Sequence, residues 1–317
     1  MTAKKATISA PDDPSSQNNH YHIPVLLAET IEGLNIRPDG VYVDCTFGGG
    51  GHSRAILEKM GPQGRLVAFD QDADAQANLP ADSRVLFVPQ NFRHLQRFLR
   101  LHKITEVDGV LADLGVSSHQ FDEADRGFST RFDAALDMRM DQRQTVTAAD
   151  IVKTYSEQQL HKMLEQYGEV TNAKTLAKLM VQQRLTQAMD TIQQFKQALQ
   201  TAVKGNPHKY FAQVFQALRI AVNDELGALK EMLQQLVAVL KPGGRAAIIT
   251  FHSLEDRLVK NFFRSGSFEA VEADEVYGTK AESPFRAINK KPITATEVEL
   301  GQNPRSRSAK LRVVEKR

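Results

Sequence analysis

The chain has 317 residues, 41% hydrophobic and 25% charged, with a formal net charge of +2, a composition typical of a globular protein with a sizeable core. Its single cysteine, Cys45, excludes an intrachain disulfide and a thiolate metal cluster. No apolar run approaches the roughly 18 residues that a membrane helix needs, and no signal-peptide pattern is seen, so we expect a cytoplasmic protein without a membrane partner.

The first predicted strand runs directly into four consecutive glycines. Residues 1–19 before it lack periodicity, which predicts a disordered tail. Residues 41–45 alternate apolar and polar side chains, and residues 48–51 are all glycine. Without Cβ atoms, these glycines can take positive φ angles and let a ligand approach the backbone. Ser53 is predicted to cap a helix over residues 53–59, which would aim free N–H groups at the same place.

A second predicted strand, residues 65–70, ends in the carboxylate of Asp70. It follows the glycines by about 20 residues, the distance at which an acidic residue meets ribose hydroxyls in nucleotide-binding α/β folds. The pattern predicts a pocket for a nucleoside-containing cofactor, with a plain tight turn as the alternative for the glycines alone. Ser53 stands where a dinucleotide fingerprint has its third glycine, which favours an adenosine cofactor other than NAD.

Strands and helices continue to alternate along the chain. A strand and its exit loop are predicted at residues 85–92 and a further strand at residues 107–113, with a helix at residues 93–102 between them. This alternation predicts a parallel doubly wound sheet, whose ligands lie beyond the carboxyl ends of the strands. Carboxylates end three strands at that edge: Asp44, Asp70 and Asp113. Helix capping is the alternative explanation for each of them.

A helical insertion is predicted in the middle of the chain. Residues 141–206 are rich in Gln, Lys, Leu and Ala, and apolar residues recur there at helical spacing. They would separate two parts, residues 20–140 and 207–317, of one α/β domain. The second part is predicted to contain one long helix over residues 209–240 and a strand over residues 245–251.

The C-terminal segment is strongly basic. Residues 285–317 contain nine Lys or Arg and three Glu, a surplus of six positive charges on a nearly neutral chain. Such a surface suits phosphate contacts, although charge that keeps a strand edge soluble is the alternative. Arg305 and Arg307 are two residues apart, so an extended backbone would place both on one face. A last strand is predicted at residues 309–314.

Seven motifs, in this order, resemble the signature blocks of one enzyme family. They are Asp44-x-Thr-Phe-Gly-x-Gly-Gly-His-Ser53, Asp113-Leu-Gly-Val-Ser-Ser118, Gly127-Phe-Ser129, Leu136-Asp-Met-Arg-Met140, Phe215-Gln-Ala-Leu-Arg-Ile220, Phe251-His-Ser-Leu-Glu-Asp-Arg257 and Asn303-Pro-Arg-x-Arg-Ser308. Together they are similar to the S-adenosylmethionine-dependent ribosomal small-subunit RNA cytosine-N4 methyltransferases. The chain departs from that family's pattern at His119, where Pro is usual, and at residues 132–136, so the departures concern the substrate loop.

The resemblance implies a class I methyltransferase fold, a Rossmann-like doubly wound sheet with an inserted small helical domain. It implies methyl transfer from S-adenosylmethionine to the N4 amine of a cytidine in the decoding centre of 16S ribosomal RNA. The partner would be this RNA or the assembled 30S subunit; a homodimer is left open and no metal is expected. The implied cofactor contacts are Gly50, Gly51, His52, Asp70, Phe92, Asp113 and Gln120.

Methylation of cytosine N4 would need acceptors for the amine hydrogens, because this conjugated nitrogen is a poor nucleophile. Asp113 is the predicted catalytic residue, and the backbone carbonyls of Leu114 and Gly115 are further acceptors. The target base must also leave its stack to reach the pocket. The predicted substrate residues are Ser117, Ser118, Phe128, Arg305 and Arg307.

Three other functions fit part of the pattern. An NAD-dependent oxidoreductase shares the glycine loop and the acid, but offers no reason for the residues that follow Asp113. A DNA amino-methyltransferase would usually carry Pro-Pro-aromatic in place of residues 114–116. A ribosome assembly factor would keep the fold and bind the cofactor without transferring a methyl group.

Overall fold

The computed structural model describes residues 24–268 and 282–317, so the predicted tail, residues 1–19, lies outside the described part. Within these ranges the chain forms a seven-stranded sheet. The strands are β1 (Val41–Asp44), β2 (Arg65–Phe69), β3 (Val85–Val88), β4 (Val107–Asp113), β5 (Leu240–Thr250), β6 (Phe285–Ala287) and β7 (Lys310–Lys316).

Helices cover the sheet and also build a layer of their own between β4 and β5. The α-helices are α1 (Leu27–Leu34), α2 (Gly51–Lys59), α3 (Leu95–Leu101), α4 (Ser118–Asp122), α5 (Ala148–Thr154), α6 (Glu157–Gly168), α7 (Ala173–Gln183), α8 (Ile192–Ala198), α9 (Pro207–Asn223), α10 (Glu225–Val239), α11 (Ser253–Ser265) and α12 (Glu297–Gln302). None of the helices in the two described ranges has the length and apolar character of a membrane-spanning segment.

The strand order is β3-β2-β1-β4-β5-β7-β6. Strands β1 to β5 pair in parallel, and β7 runs antiparallel to both β5 and β6. The order reverses between β1 and β4, where doubly wound sheets open a crevice at their carboxyl ends. This sheet confirms the predicted class I methyltransferase fold.

Apolar layers bury both faces of the sheet. Leu99 of α3, Leu233 of α10 and Phe262 of α11 pack in one layer. Leu34 of α1 and Ile56 of α2 pack in the other. Both faces of β4 are covered, and its residues 110–112 are apolar and fully buried. The predicted bounds of this strand, residues 107–113, are confirmed.

Helices α5 to α9 share a separate hydrophobic core. Leu164 of α6, Leu176 of α7, Phe195 of α8 and Val214 of α9 belong to it. Helices α5, α6 and α8 each begin with a reciprocal capping box, in which the cap side chain and the third helical residue bond each other's backbone N–H. Local polar signals therefore set the helix starts, and the shared core holds the helices together.

The helix predicted over residues 209–240 is in fact two helices. Asp224 has a φ of 46°, in the left-handed region, and separates α9 from α10. Aspartate tolerates this conformation better than most residues, and Arg93 pairs with its carboxylate at 2.6 Å. β5 also begins at Leu240, five residues before the predicted start. The break makes Glu225 the first residue of α10.

Candidate active site

A cavity of about 1480 Å³ lies beyond the carboxyl ends of β1, β2, β4 and β5. Pockets for one small molecule measure roughly 300–1,000 Å³, so this cavity has room for a cofactor and part of a second substrate. The predicted site residues among its lining are Gly51, His52, Asp70, Phe92, Asp113, Ser117, Ser118, Gln120 and Arg305.

The glycine turn shapes one end of the cavity. Gly50, with a φ of 72°, directly precedes α2 and does not itself line the cavity. A Cβ on Gly51 would lie 2.2 Å from Pro24 Cγ, so close packing requires glycine there. The turn thus brings bare backbone to the cavity edge.

Ser53 is not the helix cap that its position predicts. It lies inside α2, and its Oγ donates a 2.7 Å hydrogen bond to Asp44 Oδ2. The other Asp44 oxygen accepts from Thr46 N at 3.0 Å. Asp44 is buried and outside the cavity lining, so it ties α2 to the end of β1.

Asp70 follows β2 and faces the cavity. Its oxygens accept backbone N–H bonds from Gly48 at 2.7 Å and Asp72 at 2.9 Å. A carboxylate oxygen has a further lone pair, so each can accept another bond from a ligand hydroxyl. Burial raises the pKa of Asp70 to about 6, which leaves it charged at neutral pH.

Gln120 connects the exits of β2 and β4. Ser117 caps α4 by accepting from Gln120 N at 3.1 Å, and Gln120 Oε1 accepts from Ser117 N at 3.2 Å. Gln120 Nε2 donates to Asp72 Oδ2 at 2.7 Å. The buried Arg126 pairs with Asp72 at 2.8 Å and Asp74 at 2.9 Å. These bonds hold the loop after β4 against the loop that carries Asp70.

Asp113 has a buried oxygen without a partner. Its Oδ1 forms no hydrogen bond within the described part of the chain, and its Oδ2 lies 3.7 Å from His52 Nδ1. Burial, with the nearby charges of Asp44 and Glu255, raises the pKa of Asp113 well above its usual range, which favours the protonated form of the carboxyl group. A ligand hydrogen bond would satisfy the open oxygen.

Two predicted substrate residues lie outside the cavity lining. Phe128 is 7% exposed and packs in the core of α5 to α9, so, contrary to the prediction, its ring is not available for stacking on a base. Arg307 is exposed but does not line the cavity. Arg305 and Arg307 lie on a 3-10 helix, Pro304–Ser308, whose three residues per turn point them in different directions, so the predicted shared face is wrong.

Arg305 joins the C-terminal segment to α4. Its guanidinium pairs with Asp122 and lies 5.3 Å from the centroid of the Phe121 ring. Arg131 approaches the same ring at 5.2 Å. Arg305 therefore has a structural role at the cavity edge, which does not prevent contact with a substrate.

Two carboxylates on the cavity wall were missed from the sequence, as was Arg219, which pairs with one of them; His252, which lies beside the other, was expected near the site. Glu225 and Glu255 line the cavity. Arg219 donates to both oxygens of Glu225, at 2.8 and 3.0 Å, and His252 Nε2 lies 3.1 Å from Glu255 Oε1. Two of the motifs contain Arg219, His252 and Glu255, but spacing along the chain does not reveal that they converge.

This cluster resembles a metal site in composition. Ligand atoms of Glu225, His252 and Glu255 lie within 4.8 Å of one another. Arg219 and His252, however, each contact one of the carboxylates, so basic side chains balance the acidic charge in this arrangement. The cavity as a whole fits a nucleoside cofactor, because Asp70 and Asp113 keep open acceptors beside a glycine turn.

A model of the MraW methylase family matches residues 19–317. The chain is 55% identical to the ribosomal RNA small subunit methyltransferase H of Parabacteroides distasonis over 298 residues, 93% of this chain and 97% of the relative. It is 53% identical to the enzyme of that name from Bacteroides thetaiotaomicron over 298 residues, 94% and 98% of the two chains. A solved rRNA methylase from Streptococcus thermophilus is 11% identical, with a TM-score of 0.37 over 91% of this chain and 92% of that one, too distant to carry an argument. The chain therefore belongs to the MraW methylase family, and it is an S-adenosylmethionine-dependent methyltransferase, as the resemblance of its motifs predicted.

Proposed function

We propose that this protein methylates the N4 amine of a cytidine in the decoding centre of small-subunit (16S) ribosomal RNA, in the cytoplasm. The names of its relatives indicate the RNA. The observation that carries the choice of an amine is the cavity wall, where the carboxylates of Glu225 and Glu255 present hydrogen-bond acceptors in addition to the open Oδ1 of Asp113. An exocyclic amine satisfies such a wall, whereas a base carbonyl oxygen does not.

The glycine-turn end of the cavity would hold the cofactor. S-adenosylmethionine supplies a methyl group that is activated by a positively charged sulfur. The residues that would hold it are Gly50, Gly51, His52, Asp70, Phe92, Asp113 and Gln120. The open lone pairs of Asp70 suit the ribose hydroxyls, and the Phe92 ring suits the apolar face of adenine.

The chain's own residues then have to prepare the amine. Asp113 Oδ1 would accept one amine hydrogen, which orients the nitrogen lone pair. Leu114 and Val116 also line the cavity, and such apolar surface strips water from the base. Methyl transfer thus depends on alignment and hydrogen bonding rather than on a nucleophilic side chain.

RNA would reach the cavity across the edge formed by α4 and the 3-10 helix Pro304–Ser308. Ser117, Ser118 and Arg305 line the cavity on this side. The helical layer would add surface for naked RNA or an assembled 30S subunit. We retain a methyltransferase domain of residues 20–140 and 207–317 with an inserted domain of residues 141–206. Helix α9 begins the second part of the methyltransferase domain, and its apolar face completes the core of the insertion.

Replacement of Arg305 and Arg307 by alanine should weaken RNA binding more than it destabilises the fold. Each lost phosphate contact should reduce the slope of log affinity against log salt by about 0.7–0.9. Arg307 forms no ion pair within the described residues, and surface pairs such as Arg305–Asp122 contribute only about 0–1 kcal/mol to folding. Binding of an RNA fragment at several salt concentrations, alongside the melting temperature, measures both effects.

Arg100→Ala is the matched control for these arginines. Arg100 is exposed on α3 and outside the cavity lining, so its loss should leave the salt dependence almost unchanged. Unaltered RNA affinity of the double variant, together with a lower melting temperature, would mean that Arg305 and Arg307 only secure the C-terminal segment.

Transfer of labelled methyl groups to purified RNA tests the proposed function directly. The protein is incubated with S-adenosylmethionine and either naked 16S RNA or 30S subunits, and the nucleosides are identified by mass spectrometry. We expect N4-methylcytidine. Methylated bases in DNA alone would favour a DNA amino-methyltransferase, and cofactor binding without transfer to any substrate would favour a non-catalytic assembly factor.

A further inference from the structure

We propose that Glu255 is a second catalytic residue: its carboxylate takes the proton that the target amine releases during methyl transfer, and the Phe251 N–H holds it in position. The inference rests on the proposed function, because it requires an amine as the methyl acceptor. It assigns a chemical role to the carboxylate cluster that the sequence did not reveal.

Glu255 is a buried carboxylate whose orientation is fixed. It is 2% exposed, at the third position of α11, and its Oε2 accepts the Phe251 N–H at 2.8 Å. His252 Nε2 lies 3.1 Å from the other oxygen, Oε1, but at an angle that is poor for a hydrogen bond. Oε1 therefore keeps an acceptor direction for a ligand. Glu255 lines the cavity, whereas His252 does not.

Glu255 and Asp113 leave neighbouring strands at the same edge of the sheet. Asp113 pairs with Ile249 in the β4–β5 register, and Leu114 N donates to Ile249 O at 3.0 Å. The Phe251 N–H that holds Glu255 lies two residues beyond Ile249. A base that places its amine at Asp113 therefore enters the part of the cavity that Glu255 lines.

The pKa values of the two carboxyl groups are shifted in opposite directions. Burial and the charges of Asp44 and Glu255 raise the pKa of Asp113, which favours a protonated form that can accept a hydrogen bond at Oδ1 but cannot take a further proton. Burial disfavours the charge on Glu255, but contact with His252, the Phe251 N–H and the charge of Arg219 outweigh it and hold the pKa of Glu255 below its usual range. Glu255 is thus the charged acceptor near the reacting end of Asp113.

The proposed step balances without a further reactant. The N4 lone pair forms the new C–N bond as the C–S bond breaks, and the electron pair of that bond stays on sulfur. The nitrogen becomes positively charged and releases one proton to Glu255, which later passes it to water. A cationic nitrogen on a conjugated ring is a much stronger acid than a carboxylic acid, so even a carboxylate with a lowered pKa can accept this proton.

Single-turnover methylation of the RNA by Glu255→Ala and Glu255→Gln tests the assignment. Both variants should be slower by about 100-fold, the lower end of the range for a lost proton-transfer group. Formate, which fits the space that alanine leaves, should raise the rate of Glu255→Ala by about tenfold or more and leave Glu255→Gln unchanged. Cofactor affinity by calorimetry and the melting temperature should remain close to wild type.

Glu169→Gln is the matched control. Glu169 contacts Ser253 and Arg257 of α11, the helix that carries Glu255, but lies outside the cavity lining. The methylation rate of Glu169→Gln should therefore equal that of wild type. A wild-type rate in Glu255→Ala, or a loss that formate does not restore, would overturn the role of Glu255. A wild-type protein that forms no N4-methylcytidine would instead contradict the proposed function. Failure of the Glu255 role is therefore seen in the variants, and failure of the proposed function is seen in the wild type.

Discussion

Asp113→Ala should slow single-turnover methylation by about 100- to 1,000-fold at saturating cofactor, the usual effect of removing one oriented hydrogen-bonding group from a catalytic site. The open Oδ1 is the atom that would align the amine. The melting temperature should not fall, because removal of a buried polar atom without a partner relieves a desolvation cost. Rapid-quench kinetics and thermal unfolding measure the two quantities.

Asp113→Asn separates hydrogen bonding from charge. The carboxamide keeps an acceptor oxygen and, like the protonated acid, carries no charge, so it should retain most of the rate that alanine loses. If Asp113→Asn is as slow as Asp113→Ala, a charged carboxylate is needed at position 113. Asp113 could then take the proton itself, and the reason for assigning the proton to Glu255 would be lost.

Asp70→Ala should weaken S-adenosylmethionine binding by about 1.5–3 kcal/mol, the contribution of hydrogen bonds to a charged group. This corresponds to roughly tenfold to 150-fold in the dissociation constant by calorimetry. Asp39→Ala removes an exposed carboxylate outside the cavity lining and should leave the affinity unchanged. An unaltered affinity in a folded Asp70 variant would remove Asp70 from the cofactor site.

The same carboxylate should make cofactor binding depend on pH. With a pKa of about 6, Asp70 is mostly protonated at pH 5 and mostly charged at pH 7, so wild-type affinity should be about tenfold weaker at pH 5. In the unfolded chain Asp70 loses this proton near 3.8, the ordinary pKa of an aspartate, so Asp70 lowers folding stability as pH rises from there to about 6. Cofactor binding favours the charged form and offsets that loss. In Asp70→Ala, this contribution to the pH dependence should vanish.

The sheet and the cofactor end of the site could be predicted because their signals are local. In β4 the signal is the apolar run of residues 110–112 that leads into Asp113, as expected for a strand buried on both faces. The glycine run and the acid that follows it placed Asp70 at the cavity. The predicted start of α2 at Ser53 was wrong by contrast, since the helix begins at Gly51. Ser53 bonds to Asp44 across the turn, and rules for local helix caps do not anticipate that contact.

The substrate end could not be predicted because it is assembled by tertiary packing. Glu225 reaches the cavity only because Asp224 breaks a continuous helical pattern with a left-handed backbone angle. Glu255 joins it from the helix after β5, 30 residues later in the chain. Phe128 was predicted to contact the substrate because it lies near the loop that follows β4. It is instead buried in the core of α5 to α9, whose packing the sequence does not reveal.

Mapping of N4-methylcytidine in small-subunit ribosomal RNA, from cells with and without this protein, tests the central claim most directly. We expect one cytidine of the decoding centre to carry the modification in normal cells and to lose it in cells that lack the protein. Reintroduction of the wild-type chain should restore the modification, and Asp113→Ala should not. A decoding-centre cytidine that remains fully methylated at N4 without the protein, or one methylated in neither strain, would contradict the account.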